Sequence, residues 1–160
     1  MAIQVGDKIP AVSLKAITPE GTKDATTDEI FGGKKVVLFA VPGAFTPLCS
    51  AQHLPGFVEQ ADAMRAKGVD TVACLSVNDA FVMGAWAKDR GAGDKVLLLA
   101  DGNADFTRAV GLELDGSSFG MGVRSQRYAL IVEDGVVKHA AIEAPMKFEV
   151  SKAEVILEQL

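Results

Sequence analysis

Hydrophobic and polar positions along the chain follow two alternating patterns, one typical of buried strands and one typical of amphipathic helices. Short apolar runs over 34–41, 69–77 and 95–101 predict three buried strands. Between them, apolar residues recur at three- and four-residue spacing over 47–67 and 80–90, which predicts two helices. The order strand, helix, strand, helix, strand indicates an α/β architecture.

The C-terminal part of the chain predicts further elements. Residues 104–111 form a short helical pattern, and 127–143 predict a hairpin that turns at Asp134 and Gly135. The tail begins with Ser151, followed three residues later by Glu154, which is the pattern of a capping box at a helix start.

A smaller hairpin is predicted ahead of the first core strand, around the segment ITPEGTKD. Together these elements predict a thioredoxin-like α/β fold, with helices flanking a mixed central sheet to which a C-terminal hairpin adds antiparallel strands. At 160 residues the chain is long enough for one domain with a full core, and we expect a single domain over 1–160.

Composition excludes several classes of partner. The chain is 49% hydrophobic and 23% charged, as ordinary globular proteins are, and its net charge of −5 argues against nucleic acid or an anionic membrane as a partner. No apolar stretch approaches the ~20 residues of a membrane helix. The first residues resemble neither a signal peptide nor a transit segment. Two cysteines make no disulfide framework, so we expect a reducing compartment, the cytoplasm.

One of the two cysteines falls in the segment VPGAFTPLCS, directly after the first core strand. Thr46 is a favoured helix N-cap and Pro47 a favoured first helical residue, so Cys49 is predicted as the third residue of a helix. Free N–H groups and the helix dipole at that position favour a thiolate and lower a thiol pKa. Residue type alone favours a buried structural cysteine, but this location favours a reactive one.

The helix start does not supply enough stabilisation by itself. Lowering a thiol pKa by ~2 units, so that most of it is ionised at neutral pH, takes about 2.7 kcal/mol. Helix termini contribute ~0.3–1 kcal/mol, and up to ~2 kcal/mol when partly buried. We therefore expect a cationic side chain near Cys49.

The residues around this cysteine resemble the active-site signature of peroxiredoxins, Pro-x-x-x-Thr-x-x-Cys, at Pro42, Thr46 and Cys49. The segments HLPGFVEQ, VACLSVND with FVMGAW, and RSQRYALIVEDG are similar to the type II, or atypical, subfamily. The resemblance covers nearly the whole chain. It implies a thioredoxin-like fold and reduction of hydrogen peroxide or organic hydroperoxides by a cysteine, with no cofactor.

The resemblance also implies roles for individual residues. Cys49 is the expected peroxidatic cysteine, which becomes a sulfenic acid when its thiolate attacks a peroxide oxygen. Thr46 is expected to hydrogen-bond the peroxide and Pro42 to shield the site from water. Arg127 is the expected cation, because a guanidinium keeps its charge and can stabilise negative charge on the peroxide oxygens. For Arg124, a share in this positive field and a solvated surface position remain equally open.

The oxidised cysteine must then be reduced. Some type II members have a resolving cysteine near the C-terminus, but the segment FEVSKAEVILEQL has none. Cys74 is the only candidate resolving cysteine, and its place within an apolar strand favours a buried structural thiol. We therefore expect an external thiol: glutathione with glutaredoxin, or thioredoxin. Pro55 and Gly56 predict a kink or restart of the helix, which leaves the turn of Cys49 separately mobile.

Two other functions follow from the same residues. His53 lies four residues after Cys49 on one helical face, and a Cys-His pair is also the catalytic pair of a cysteine hydrolase. A packing or surface role for His53 is favoured over that function. A thioredoxin-fold binding or chaperone-like module, with a merely structural cysteine, is the alternative from another class. The resemblance further suggests a homodimer, with Phe45 and the helix 80–90 as contributors.

Metal binding is not predicted. The two cysteines and two histidines lack the paired spacing of a zinc site. The segment DGNADF begins like a calcium loop, but Phe106 stands where that loop needs glycine and Leu112 where it needs glutamate.

Overall fold

The computed structural model describes residues 2–160, and a seven-stranded mixed sheet forms its centre. The chain has nine strands in this range: β1 (Ser13–Thr18), β2 (Gly21–Thr26), β3 (Lys35–Val41), β4 (Thr71–Ser76), β5 (Leu97–Ala100), β6 (Glu113–Asp115), β7 (Val123–Ser125), β8 (Tyr128–Glu133) and β9 (Val136–Ile142). The central sheet has the order β2-β1-β5-β4-β3-β8-β9, while β6 and β7 form a separate pair. The predicted α/β fold with a mixed sheet is confirmed.

Five α-helices connect and cover these strands: α1 (Thr27–Phe31), α2 (Leu54–Ala66), α3 (Ala80–Asp89), α4 (Asp105–Ala109) and α5 (Ala153–Glu158). A π-helical turn, Cys49–His53, directly precedes α2. The three predicted core strands correspond to β3, β4 and β5, which pair in parallel. Their apolar runs are continuous because helices cover both faces of this part of the sheet.

Alternate residues of β3 point into two separate cores. Val37, Phe39 and Val41 face a cluster that includes residues of α2, α3 and α5. Val36 and Leu38 face the opposite cluster, which includes residues of α1 and α4. The sheet is therefore the middle of three layers, and β3 lies in its interior with both faces buried.

Both predicted hairpins are present and add antiparallel strands to the sheet. The β8–β9 hairpin turns at Asp134 (φ 47°) and Gly135 (φ 76°), whose two positive φ angles match the right-handed twist of a hairpin. β8 pairs antiparallel with β3, and the N-terminal hairpin pairs through β1 with β5. The antiparallel pairing of β8 with β3 brings the residue before Tyr128 to the carboxyl end of β3.

The predicted capping box of the last helix is wrong. Lys152 occupies the N-cap position of α5 and makes no side-chain capping bond. The Ser151 hydroxyl instead donates to the carboxylate of Glu143, at 2.6 Å. At α3, by contrast, the residue before the helix does cap it, because the Asp79 side chain accepts a hydrogen bond from the Val82 amide.

Candidate active site

Cys49 lies at the end of a short connection between β3 and the helical segment, as the sequence predicts. The dihedral and hydrogen-bond pattern becomes helical at Pro47, and the Ser50 amide donates to the Thr46 carbonyl at 2.9 Å. Thr46 therefore occupies the predicted position at the helix start. Its hydroxyl does not cap the helix, however, since it donates to the Gly43 carbonyl at 2.6 Å. The connection closes on itself through this bond.

A π-helical turn follows immediately, over Cys49–His53. The Leu54 amide donates to the Cys49 carbonyl, five residues back, and normal α-helical bonding begins at Leu54. Pro55 has no N–H and its ring would clash with a carbonyl four residues earlier in a regular helix. The wider turn avoids that clash. The predicted kink or restart at Pro55 is thus not a break, because residues 47–66 are helical throughout; the bonding instead changes from π to α at Leu54.

The predicted cation is in place. Arg127 Nη2 donates to Cys49 Sγ at 3.0 Å, because the pairing of β8 with β3 brings Arg127 to the end of β3. Two opposite unit charges ~4 Å apart attract each other by about 4 kcal/mol at an effective dielectric constant of ~20. That attraction exceeds the ~0.3–2 kcal/mol available from a helix start. Arg127 is therefore the cationic side chain that the sequence predicts beside Cys49.

His53 holds the other side of the same guanidinium. Arg127 Nη1 donates to His53 Nδ1 at 2.7 Å, and His53 Nε2 donates to the Ser151 carbonyl at 3.0 Å. An arginine can only donate and a carbonyl can only accept, so these partners fix the neutral tautomer with its proton on Nε2. Burial, and then the charge of Arg127, lower the pKa of His53 to about 3, although the bond to Ser151 raises it.

This geometry corrects the surface alternative for His53 and argues against a Cys-His hydrolase. His53 is only 1% exposed, and its ring contacts three aromatic rings, those of Phe39, Phe57 and Phe148. Its one basic nitrogen is occupied by Arg127, and a pKa of about 3 makes it a poor general base at neutral pH. The sequence pointed to His53 only by its spacing from Cys49; nothing local indicated its bond to Arg127.

The connection after β3 is held by a second set of contacts. The Ala44 amide donates to Asn78 Oδ1 at 3.0 Å, and the Ser76 hydroxyl donates to the same oxygen at 2.6 Å. Pro42 is half-buried at the base of this connection. Phe45 has a positive φ of 65° and an exposed side chain. A non-glycine residue in this conformation is strained and is retained where neighbouring contacts fix the backbone.

Arg124 lies against the same connection. A Cβ at Gly43 would be 3.1 Å from Arg124 Nη1 and 3.1 Å from Thr46 Cγ2, so glycine lets the guanidinium approach. Arg124 Nε also donates to the Met121 carbonyl at 3.0 Å, and the residue is half-buried. The solvated surface position is therefore not the one observed, since the guanidinium of Arg124 lies half-buried against Gly43.

Both cysteines are free and fully buried. Cys74 lies within β4, next to Phe39 of β3, and burial raises the pKa of its thiol well above the usual value, with a further increase from Cys49. It is therefore a neutral core thiol in this conformation. Cys49 has no exposed surface in this conformation either.

Neither a metal-binding cluster nor a membrane-spanning helix is present within residues 2–160. No three His, Cys, Asp or Glu side chains of this range are grouped in a way that could hold a metal ion. None of the helices described is both long and apolar enough to cross a bilayer.

Comparisons with known proteins show the family to which this fold and sequence belong. The Redoxin family model matches residues 4–157. The chain is 51% identical to peroxiredoxin-2E of chloroplasts from Arabidopsis thaliana over 163 residues, covering 99% of this chain and 70% of that protein. A solved structure of reduced Prx3 from Vibrio vulnificus in complex with hydrogen peroxide is 54% identical, covers 98% of both chains and has a TM-score of 0.93.

A further solved structure, from Burkholderia cenocepacia, has a TM-score of 0.98 and 50% identity, covering 100% of this chain and 99% of that one. Its name describes a proposed thioredoxin reductase. The named peroxiredoxins share both the sequence and the fold with this chain over nearly its full length. The chain therefore belongs to the Redoxin family and is a peroxiredoxin, with relatives and motifs consistent with the type II group.

Proposed function

We propose that this thiol-dependent peroxidase reduces hydrogen peroxide and organic hydroperoxides with Cys49 as its nucleophile. The observation that carries the proposal is the 3.0 Å contact between Arg127 Nη2 and Cys49 Sγ. A structural cysteine in an apolar core has no need of a permanently charged partner, whereas a thiolate does. For this reason the alternative of a binding module with a structural cysteine is not supported, and Cys74 fits that description instead.

In the proposed reaction the Cys49 thiolate attacks one oxygen of the peroxide. An S–O bond forms as the O–O bond breaks, the sulfur is oxidised by two electrons, and the leaving oxygen takes up a proton to become water or an alcohol. The product on the enzyme is Cys49 sulfenic acid. Arg127 stabilises the thiolate before attack and the negative charge on the leaving oxygen during it.

Thr46 and Pro42 would arrange the substrate. The Thr46 hydroxyl proton is directed to the Gly43 carbonyl, so its oxygen is left as an acceptor. A peroxide O–H can donate to that oxygen, which would orient the O–O bond toward Cys49. Pro42, half-buried beside this connection, has no N–H to offer water and would limit access of solvent to the sulfur.

An external thiol would complete the cycle. One reductant thiol displaces water from the sulfenic acid to give a mixed disulfide, and a second thiol releases Cys49. Glutathione with glutaredoxin, or thioredoxin, are the proposed donors. The buried position of Cys74 in β4 supports an outside thiol over an internal disulfide. A reducing compartment, such as the cytoplasm, suits two free cysteines.

We also propose a homodimer that packs near the active site. Phe45 beside Trp86, and Phe81 at the start of α3, are exposed at 49% and 90%. Exposed aromatic side chains are typical of an interface. Sedimentation of the wild type as a monomer at micromolar concentration would rule this assembly out.

Mass spectrometry after one equivalent of peroxide tests the proposed chemistry. The wild type is expected to gain one oxygen on Cys49, and added glutathione should convert it to a mixed disulfide. Cys49→Ser should consume no peroxide, whereas the matched variant Cys74→Ala should keep the activity. A Cys49–Cys74 disulfide would contradict the external reductant, and full activity of Cys49→Ser would contradict the nucleophile.

A further inference from the structure

A buried carboxylate lies at the far end of the contacts that hold Arg127. Glu143 follows β9 and is 7% exposed. Its Oε2 accepts four hydrogen bonds, from the amides of Glu149, Val150 and Ser151 at 2.8, 3.0 and 2.8 Å, and from the Ser151 hydroxyl at 2.6 Å. Three successive amides directed at one anionic oxygen fix the backbone of the intervening loop.

This loop continues to the active site through two side chains. The carbonyl of Ser151, whose amide and hydroxyl are bound to Glu143, accepts from His53 Nε2 at 3.0 Å. His53 Nδ1 in turn accepts from Arg127 Nη1 at 2.7 Å. Arg127 Nη2 then donates to Cys49 Sγ at 3.0 Å. Four consecutive hydrogen-bonded links therefore connect the carboxylate of Glu143 to the sulfur.

The backbone of Glu143 closes the same set of contacts into a ring. Its amide donates to the Arg127 carbonyl at 3.0 Å. Glu143 thus holds the main chain of Arg127 directly and its guanidinium through the loop and His53. A shift of the loop would move His53, which accepts from Arg127, while the main chain of Arg127 stayed in place. The guanidinium would then no longer be oriented toward Cys49 Sγ.

The loop also places an aromatic ring against the side chains of His53 and Arg127. Phe148, within the segment closed by Glu143, is half-buried. Its ring centroid is 4.9 Å from that of His53 and 5.7 Å from Cζ of Arg127. The ring limits access of water to the Arg127–His53 bond, and a drier setting strengthens that bond.

We infer that Glu143 is a positioning residue for the peroxidase reaction: its carboxylate fixes the 143–151 loop, and through Ser151 and His53 this loop sets the orientation of Arg127 at Cys49. The inference rests on the proposed role of Cys49 as the nucleophile. Glu143 touches neither the substrate nor the sulfur. Its effect is on the thiolate and on the rate of its attack, not on the chemistry that follows.

The central test is Glu143→Gln, which keeps the size of the side chain and removes its charge. Bonds from the three amides to a neutral amide oxygen are weaker than bonds to a carboxylate. The fraction of Cys49 present as thiolate at neutral pH should fall, and the rate constant for reaction with hydrogen peroxide should fall by roughly 3- to 30-fold, the range seen for residues that act through others. Ser151→Ala, which removes only the hydroxyl bond, should show a smaller decrease.

Asp101→Asn is the matched control. Asp101 is also a buried carboxylate that accepts amides across a short loop, from Phe106 and Thr107, but it lies beyond the end of β5, and its hydrogen bonds within residues 2–160 do not lead to Arg127. This variant should lose stability and keep its thiolate fraction and peroxide rate. A loss of stability without a loss of thiolate in Glu143→Gln as well would overturn the inference.

A double-mutant cycle separates positioning from general destabilisation. In a His53→Ala background the link to Arg127 is already broken, so Glu143→Gln should have almost no further effect on the peroxide rate. Additive effects of the two substitutions would contradict the inference. If Glu143→Gln fails to fold, Ser151→Ala replaces it in the wild-type and His53→Ala backgrounds. Ser151→Ala should then lower the peroxide rate in the wild type and have almost no effect in His53→Ala. A wild type that consumes no peroxide would reject the proposed function instead, and the thiolate fractions of the variants would still test the positioning role.

Discussion

Arg127 donates one hydrogen bond to the sulfur of Cys49 and another to the neutral imidazole of His53. The neutrality of His53 affects how strongly Arg127 attracts a negative charge on the sulfur. A carboxylate in place of His53 would compensate much of the positive charge and weaken its attraction for the Cys49 thiolate. His53 accepts a hydrogen bond without adding negative charge. It therefore orients Arg127 and leaves the full charge available to the sulfur.

The titration of His53 makes the free energy of unfolding depend on pH. Its pKa is about 3 in the folded protein and ~6.5 when exposed, because burial and Arg127 disfavour the charged ring. Between these values the unfolded chain binds more protons, so the stability of the native state decreases as pH falls through that window. Between about pH 7 and about pH 5 the loss from His53 should reach up to about 2 kcal/mol.

Urea unfolding of the wild type and His53→Asn at the two pH values measures this contribution. The asparagine side chain carries no charge at either pH, whereas the histidine of the unfolded wild type gains a proton at the lower one. We therefore expect the wild type to lose more stability on acidification than His53→Asn does, because the two proteins share every other titratable group. Equal losses in the two proteins would show that His53 is not held neutral by burial and Arg127.

At the scale of elements, the π turn joins a rigid strand to a rigid helix. Trp86 of α3 donates to the Ser50 hydroxyl at 2.8 Å, which anchors one side of the turn. The wider bonding of Cys49–His53 is a weaker form of helix, imposed by Pro55. Because Cys49 is fully buried, we expect movement of this turn to expose the oxidised sulfur to a reductant thiol.

Hydrogen exchange tests the mobility of the π turn. The amides of residues 50–54 should exchange faster than those of β3, which lies in the interior of the sheet. Pro55→Ala restores an N–H and should slow their exchange, and it should also slow the reduction of oxidised Cys49 by an external thiol.

A helix-stabilising substitution elsewhere provides the control for that experiment. Gly84 lies in α3 with open space where a Cβ would be, so Gly84→Ala should stabilise the helix by about 1 kcal/mol without touching the π turn. Its exchange in the turn should equal that of the wild type. Protection of the turn as strong as that of β3 in the wild type would contradict a separately mobile unit.

At the scale of the molecule, the sequence predicted what depends on local pattern. The apolar runs of β3, β4 and β5, the turn at Asp134 and Gly135, and the helix start at Thr46 and Pro47 are each determined by residues close in the chain. The approach of Arg127 to Cys49 was predictable only through the family resemblance, because 78 residues separate the two.

Contacts that depend on distant register were not predictable. Ser151 has the local pattern of a helix cap, but its hydroxyl donates to the carboxylate of Glu143 instead. Ser151 therefore lies in the loop before α5, and Lys152 occupies the N-cap position. The short strands β6 and β7 have three residues each, too few for alternation to predict a strand, and they pair with each other outside the central sheet. The π turn likewise follows from a clash at Pro55, which the spacing of apolar residues does not reveal.

The charge state of the sulfur at neutral pH tests the whole account most directly. The ultraviolet absorbance of the thiolate should be measured against pH in a Cys74→Ala background, where Cys49 is the only thiol, with and without Arg127→Met. We predict that Cys49 is mostly thiolate at neutral pH and that Arg127→Met makes it mostly protonated. A protonated Cys49 in the background protein, or a thiolate that persists without Arg127, would contradict the account.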